Sequence, residues 1–136
     1  MKHKTALVCT PHSAYAEGLT TKELRETLGK ADYCLAREQH NLYCHYLQLA
    51  GISELINLAD YQYFIEQEPS PDDCFVEDTA VFTDKGVILA NPGRPERRKE
   101  TDLVAYVLTA VGIPIIGGIT DPGYLDGGDV VRAGNH

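Results

Sequence analysis

The stretch "DDCFVED", residues 72–78, decides how this sequence is interpreted. Its seven positions hold four carboxylates, and these surround three residues, 74–76, of types that are usually buried. Side chains alternate between faces along a strand, so Glu77 and Asp78 cannot both face solvent if the strand is covered on both sides. A buried carboxylate is costly unless a cation or several donors pair with it. The stretch therefore predicts either a site that binds a cation or an edge strand with one wet face.

The composition limits the classes of partner. A length of 136 residues predicts one domain or part of one, and the net charge of −8 argues against nucleic acid and anionic membranes as partners. The first residues lack the long apolar run of a signal peptide, and no stretch approaches a membrane span. The four cysteines show neither a CxxC pair nor zinc-ligand spacing. We therefore expect reduced thiols, a cytoplasmic location and no metal site.

Hydrophobic periodicity predicts an α/β chain. Strands are expected at 5–9, 54–59, 74–83, 87–91 and 113–119, with another beginning at 125. Helices are expected at 36–51 and 95–112, a loop with one helical turn at 15–30, and a hairpin turn at 84–86.

Each predicted helix carries an apolar stripe of the kind that normally faces a core. In the first helix the stripe comprises Leu42, Tyr43, Tyr46, Leu47 and Leu49. In the second helix it comprises Leu103, Val104, Val107, Leu108 and Val111.

A weak internal repeat relates "VEDTAVFTDKG" (76–86) to "GGDVVRAGNH" (127–136). In each copy an acidic residue opens an apolar strand that ends in a turn. The repeat predicts that 134–136 is the turn of a second hairpin. Because no return strand follows, we expect residues 1–136 to be an incomplete domain, truncated within a hairpin and with an unpaired strand edge.

The segment "NPGRPERRKE" (91–100) places cations where a helix begins, namely Arg94, Arg97, Arg98 and Lys99. Cations there oppose the helix dipole, so they need another reason. An arginine fork beside free backbone donors suits a carboxylate ligand, whereas the alternative is a solvated face paired with Glu96 and Glu100. With the acidic strand, the fork predicts a bipolar ligand that has a cation at the Asp78 end and a carboxylate at the Arg97 end.

A third feature is "YLDGGDV" (124–130), in which Gly127 and Gly128 allow a close backbone approach or a bulge. Asp126 and Asp129 flank the two glycines. Alone, this segment indicates only a loop.

Taken together, five segments resemble the dimethylarginine dimethylaminohydrolases (dimethylargininases) of the guanidino-group-modifying superfamily. The segments are "GLT" (18–20), "EQHNLY" (38–43), "CFVED" (74–78), "NPGRPERRKE" (91–100) and "LDGGDV" (125–130). The resemblance implies an α/β propeller of the pentein type, built of ββαβ modules, of which this chain holds a part. It also implies hydrolysis of methylated arginine to citrulline and a methylamine without a cofactor, and it allows a homodimer of the full-length protein.

The resemblance also implies roles for individual residues. Asp78 and Asp126 would grip the guanidinium of the substrate, although some relatives have Glu at the second position. Asp72 and Glu77 would be further acids of the substrate pocket, and Phe75 would form its wall. Arg97 would bind the substrate carboxylate. Leu19 would belong to a lid over the site. The nucleophilic cysteine and the acid–base histidine would lie beyond residue 136, so no catalytic residue is expected in this chain.

Two alternatives stay open at this point. One is an arginine deiminase-like enzyme that acts on unmethylated arginine. The other is a non-catalytic module that binds arginine-like ligands or pairs with a second polypeptide.

Two cysteines could be mistaken for catalytic residues. Cys44 lies four residues after His40 and so shares a helix face with it, which imitates a catalytic or metal-binding pair. We favour packing, because a free cysteine on an apolar stripe usually behaves as a small hydrophobe. Cys74 lies beside acids that disfavour its thiolate.

Overall fold

The computed structural model describes residues 4–18, 22–66, 68–131 and 133. Its strands are β1 (Thr5–Val8), β2 (Glu54–Asn57), β3 (Ala80–Thr83), β4 (Gly86–Leu89) and β5 (Ile115–Gly118). Its helices are α1 (Lys22–Leu28), α2 (Tyr33–Leu49) and α3 (Arg98–Ala110). The chain is therefore mixed α/β, and it divides into two compact units, Met1–Cys74 and Phe75–His136. Within the described ranges, no helix combines the length and the hydropathy that crossing a membrane requires.

In the first unit, β1 and β2 pair in parallel, with α1 and α2 between them in sequence. The pair buries Val8, Cys9, Ile56 and Leu58. The strand ends are joined by Asn57, whose side chain accepts from the Thr10 backbone N–H at 3.0 Å and donates to the Thr10 hydroxyl at 3.1 Å.

The helical boundaries of the first unit differ from the prediction. Helix α2 begins at Tyr33 rather than at residue 36, because Asp32 caps it by accepting from the Leu35 N–H at 3.0 Å. The expectation of a loop with one helical turn at 15–30 was wrong, since that region holds a 3₁₀ turn and the seven-residue helix α1. The end of α2 was placed correctly, because Gly51 adopts φ +94°.

The apolar stripe predicted for α2 is largely exposed. Leu42, Tyr43, Tyr46 and Leu49 each keep at least half of their surface accessible, and no residue of the helix is fully buried. The less exposed face instead runs along Tyr33, Ala36, His40, Cys44 and Leu47. This face also has the three- and four-residue spacing of a helix. The helix thus presents two possible stripes. The prediction selected the one with the more apolar residues, and the structure shows that the other is less exposed.

In the second unit, the sheet order is β3-β4-β5. The hairpin strands β3 and β4 are antiparallel, with Thr83 opposite Gly86 across the expected turn, and β5 joins β4 in parallel after α3. This ββαβ order matches one module of the implied fold, whereas closure of such modules into a propeller stays a prediction. So does the assignment of residues 1–136 to a single incomplete domain.

The core of the second unit lies between α3 and its sheet. Four members of the predicted α3 stripe are buried to 1% exposure or less, namely Leu103, Val104, Val107 and Leu108. Val111, the fifth member, is 37% exposed, because the helix has ended at Ala110. The stripe prediction is therefore confirmed except at its last position.

Two predicted strand segments are 3₁₀ turns instead. Val76–Thr79 and Gly127–Asp129 each form such a turn. The expectation of a strand over 74–79 was therefore wrong. The expectation of a strand beginning at 125 was also wrong, since residues 125–131 and 133, the described part of that segment, contain no strand. The two copies of the repeat nevertheless open in the same way. The turn expected at 134–136 lies outside the described residues.

Candidate functional site

The acidic stretch forms a tight turn just before β3. The Thr79 hydroxyl donates to the Val76 carbonyl at 2.7 Å, and the Asp78 N–H donates to the Phe75 carbonyl at 3.2 Å. Because Glu77 and Asp78 lie on a turn, the argument from alternating strand faces does not apply to them. Glu77 is exposed, whereas Asp78 is half-buried.

Arg97 holds this turn to the start of α3. Its Nη1 donates to Asp78 Oδ2 at 2.7 Å, and its Nη2 donates to the Phe75 carbonyl at 3.3 Å. The other edge of the guanidinium forms a fork on Glu100, with Nε at 3.0 Å and Nη2 at 2.8 Å from Oε2. The Arg97 side chain is 11% exposed and the Glu100 side chain 3%, so this is a largely buried ion cluster.

The cluster keeps Arg97 charged, and Arg97 is shared between two carboxylates. Burial alone lowers the pKa of Arg97, but hydrogen bonds and charge attraction from Glu100 and Asp78 outweigh it and raise that pKa above its ordinary value. Two carboxylates therefore face one guanidinium. Of the two carboxylates, the half-buried Asp78 is the more accessible.

This arrangement differs from the predicted one in two respects. Arg97 was expected to offer a free fork to a ligand, yet Glu100 occupies that fork. Asp78 and Arg97 were expected at opposite ends of a ligand, yet they are in direct contact. The sequence predicted a pairing of Arg97 with Glu100 only on a solvated face. It did not predict that the Glu100 carboxylate, three residues after Arg97, is buried.

The "LDGG" segment packs directly on the acidic turn. A Cβ on Gly127 would lie 2.2 Å from the Glu77 carbonyl oxygen, and one on Gly128 would lie 2.5 Å from Asp78 Oδ1. Both glycines are therefore required for close approach, as the sequence suggested. The structure thus places the segment that carries Asp126 against the turn that carries Glu77 and Asp78.

Asn91 and Arg98, neither of which had a predicted role at this segment, hold it in place. Asn91 donates from Nδ2 to the Gly123 carbonyl at 2.7 Å, and its own carbonyl accepts from Leu125 N–H at 3.0 Å. Arg98 stacks 5.4 Å above the centre of the Tyr124 ring. The signal was present in the sequence, since Asn91 and Arg98 belong to the same motif as Arg97, but their partners lie far along the chain.

Gly127→Ala is expected to destabilise the protein by about 1–3 kcal/mol, because the new methyl group would overlap backbone atoms that cannot rotate away. Urea unfolding followed by circular dichroism would measure the change. Gly93→Ala is the matched control, since a Cβ there meets nothing within 4 Å. Equal stability of the two variants would contradict the close packing of this segment on the acidic turn.

The remaining predicted acid, Asp72, belongs to the first unit. It is 8% exposed, and its Oδ1 lies 3.1 Å from where a Cβ on Gly18 would be. Gly18 has φ −50°, so glycine serves there for space rather than for an unusual backbone conformation. Leu19, the predicted lid residue, lies outside the described residues. The adjacent Asp73 is a structural acid that accepts from the Ser70 backbone N–H and the Gln62 side chain, both at 2.7 Å.

The His40–Cys44 pair has the features of packing rather than of chemistry. The Cys44 Sγ lies 3.7 Å from His40 Nδ1. Burial lowers the pKa of His40 and raises the pKa of Cys44, so both groups favour their neutral forms. An activated thiolate needs the opposite shifts. In the part of the chain that the structure describes, no group of three or more His, Cys, Asp or Glu side chains is arranged to hold a metal ion.

We expect Cys44 to react with iodoacetamide at pH 7 at least about tenfold more slowly than Cys34, because only the thiolate attacks. Cys34 lies on the same helix and is exposed, which makes it the internal control. Peptide mass spectrometry of a time course would separate the two sites. Faster alkylation of Cys44 would contradict the packing interpretation.

Comparison with curated proteins shows which enzymes this chain resembles in sequence. The chain is 32% identical over 133 residues to the dimethylarginine dimethylaminohydrolase of Pseudomonas aeruginosa, a match that covers 98% of the chain and 48% of the relative. It is 36% identical over 138 residues to the enzyme of the same name from Streptomyces coelicolor, covering 99% of the chain and 48% of the relative. No family model matches.

Solved structures agree with these relatives. A crystal structure of a dimethylarginine dimethylaminohydrolase adduct with S-methyl-L-thiocitrulline matches at TM-score 0.77 and 31% identity, covering 97% of this chain and 48% of that one. The P. aeruginosa enzyme complexed with citrulline matches at TM-score 0.77 and 30% identity, covering 98% and 48%. AgrE with L-arginine, at TM-score 0.72 and 18% identity, covers 95% of this chain and 18% of that one and shows the fold alone.

The ββαβ unit and these matches define a protein of the pentein-fold, guanidino-group-modifying superfamily. Within that superfamily, the chain is similar over nearly its whole length to the dimethylarginine dimethylaminohydrolases. It spans about half the length of the curated relatives that it matches. The resemblance inferred from the five motifs is thereby confirmed.

Proposed function

We propose that this chain is the substrate-binding half of a hydrolase that converts N-methylated arginine to citrulline and a methylamine. The observation that carries the proposal is the ion cluster, in which Arg97 holds the half-buried carboxylate of Asp78 in a fixed position. A guanidinium is a cation with paired N–H donors, and an ionised carboxylate matches it in charge and shape. The names of the relatives support the methylated substrate, and the citrulline complex supports the product.

The residue roles in this proposal follow the motifs and the geometry. Asp78 and Asp126 bind the substrate guanidinium, since the close packing of Gly127 and Gly128 supports their belonging to one site. Phe75, which is 43% exposed, is suited to a pocket wall. Glu77 and Asp72 are further pocket acids, and Leu19 is the lid, by motif alone.

Arg97 is proposed to contact the substrate carboxylate, but few of its N–H donors are available for this contact. Of its five N–H groups, four are engaged by Glu100, Asp78 and Phe75, which leaves one on Nη1 without an acceptor among the described residues. The contact is therefore a single charge-assisted hydrogen bond rather than a fork.

Hydrolysis in this proposal requires a cysteine nucleophile and a histidine that this chain does not supply. A covalent mechanism needs the nucleophile next to its base. The His40–Cys44 pair stays neutral, and Cys74 lies among carboxylates, so neither suits the role. The chain by itself is accordingly proposed to be inactive.

The test combines the chain with the remaining half of the P. aeruginosa relative and measures citrulline release from dimethylarginine and from arginine. We expect turnover of dimethylarginine by the combined protein, none by the chain alone, and a loss of at least about a hundredfold in Asp78→Asn. Preference for unmethylated arginine would favour an arginine deiminase-like enzyme. Binding without turnover in the combined protein would favour a non-catalytic arginine-binding module.

A further inference from the structure

We propose that Glu100 is a positioning residue of this site: it fixes the guanidinium of Arg97, and Arg97 in turn orients the Asp78 carboxylate toward the ligand. The inference rests on the proposed function, in which Asp78 receives the guanidinium of the substrate. It adds a residue that touches no substrate and gives Arg97 a role besides contact with a carboxylate.

Burial sets Glu100 apart from the other acids near the start of α3. It is 3% exposed, whereas Glu96 and Asp102 are exposed. A carboxylate in that position is costly unless a cation pairs with it and its oxygens accept hydrogen bonds. Arg97 supplies both, so the burial of Glu100 and the placement of Arg97 depend on each other.

The geometry of the fork determines where Arg97 points. Glu100 engages the Nε and Nη2 edge, which fixes the plane of the guanidinium. Nη1 then lies on Asp78 Oδ2 at 2.7 Å. The other oxygen, Asp78 Oδ1, lies against the backbone of Gly128. The carboxylate is thus held from α3 on one side and from the "LDGG" segment on the other.

Charge gives Glu100 a second effect. Because Arg97 is shared between Asp78 and Glu100, it neutralises Asp78 less than it would as a partner of Asp78 alone.

Positioning of Asp78 by Glu100 and Arg97 predicts a different result from simple contact between Arg97 and a substrate carboxylate. If the Glu100–Arg97 pair acts through Asp78, weakening it harms recognition of the guanidinium, which every arginine-like ligand carries. If Arg97 serves only as a carboxylate anchor, the loss is confined to ligands that have a carboxylate. Agmatine, which has the guanidinium but lacks the carboxylate, separates the two cases.

The experiment compares Glu100→Gln with Glu96→Gln in the combined protein described above, using dimethylarginine and agmatine as probes. Glu100→Gln keeps the shape and removes the charge, whereas Glu96→Gln makes the same change at an exposed position. We expect Glu100→Gln to lower kcat/KM by about ten- to a hundredfold for both probes, and Glu96→Gln to leave both unchanged. A loss for dimethylarginine alone, or no loss, would overturn the inference.

A second variant and a spectroscopic measurement keep the test decisive if Glu100→Gln folds poorly. Arg97→Lys retains the charge but loses the planar fork, and we expect a similar fall for both probes. In the ¹⁵N spectrum of the parent protein, the Arg97 Nε–H should exchange slowly with solvent because Glu100 binds it. Fast exchange in the parent would overturn the inference while leaving the proposed function standing. If the parent binds neither probe, the proposed function fails, and the inference fails with it.

Discussion

Glu100→Ala is expected to lower the free energy of unfolding by about 3–5 kcal/mol, because it removes one partner of a buried ion pair and leaves the other charge inside the protein. Arg97 would keep Asp78 as a partner but lose the fork on its Nε edge. We place the effect toward the lower end of the range, since one ion pair remains. Urea unfolding monitored by circular dichroism measures it.

Glu96→Ala is the matched control for this change. Glu96 lies in the same helical start but is exposed, and surface charges of this kind contribute about 0–1 kcal/mol. The comparison separates burial from the general effect of an acid near a helix N-terminus. If both alanine variants lost the same small amount, the Glu100 carboxylate would be solvated, and the ion cluster would contribute little to the fold.

Leu108→Ala is expected to cost about 2–5 kcal/mol, because the side chain is fully buried and its removal leaves a cavity that the neighbours fill only in part. Leu108 belongs to the stripe of α3 that packs with the sheet of the second unit. Chemical denaturation would show a lower midpoint with an unchanged slope if only the stability is affected.

Val111→Ala provides the comparison at the end of the same stripe. Because Val111 is 37% exposed, we expect a loss of less than about 1 kcal/mol. A cost at Val111 as large as that at Leu108 would contradict the observed end of α3 at Ala110. It would then favour the longer helix that the sequence pattern predicted.

Local features of the sequence determined most elements correctly. The sequence predicted the hairpin at Ala80–Leu89, because a two-residue turn next to a glycine restricts the backbone strongly. Helix α3 was readable because its apolar stripe has a single interpretation. Helix α2 was not, since it carries two stripes and only the packing of its own unit shows which one is covered. The turn at Val76–Thr79 resembles a strand in the sequence, because apolar residues of strand-forming types lie on both sides of Glu77 and Asp78.

The site shows the same division between local and distant information. The motifs alone revealed the resemblance to the dimethylargininases. They also identified the charged residue types of the site, the acids at 72–78 and the cations at 94–99. The sequence also indicated that Gly127 and Gly128 permit either a close approach or a bulge, because glycine has no Cβ. These conclusions depend on residue identity and short spacing, both of which a sequence displays directly.

How those groups are paired depends on contacts between distant parts of the chain. Asp78 and Arg97 are separated by 19 positions, and they meet because the hairpin returns the chain to the start of α3. Glu100 takes the arginine fork because it is buried, whereas the equally acidic Glu96 is exposed and is not an ion-pair partner of Arg97 within the described residues. The strength of an ion pair depends on how far its charges are removed from water, and burial arises from packing across the whole unit.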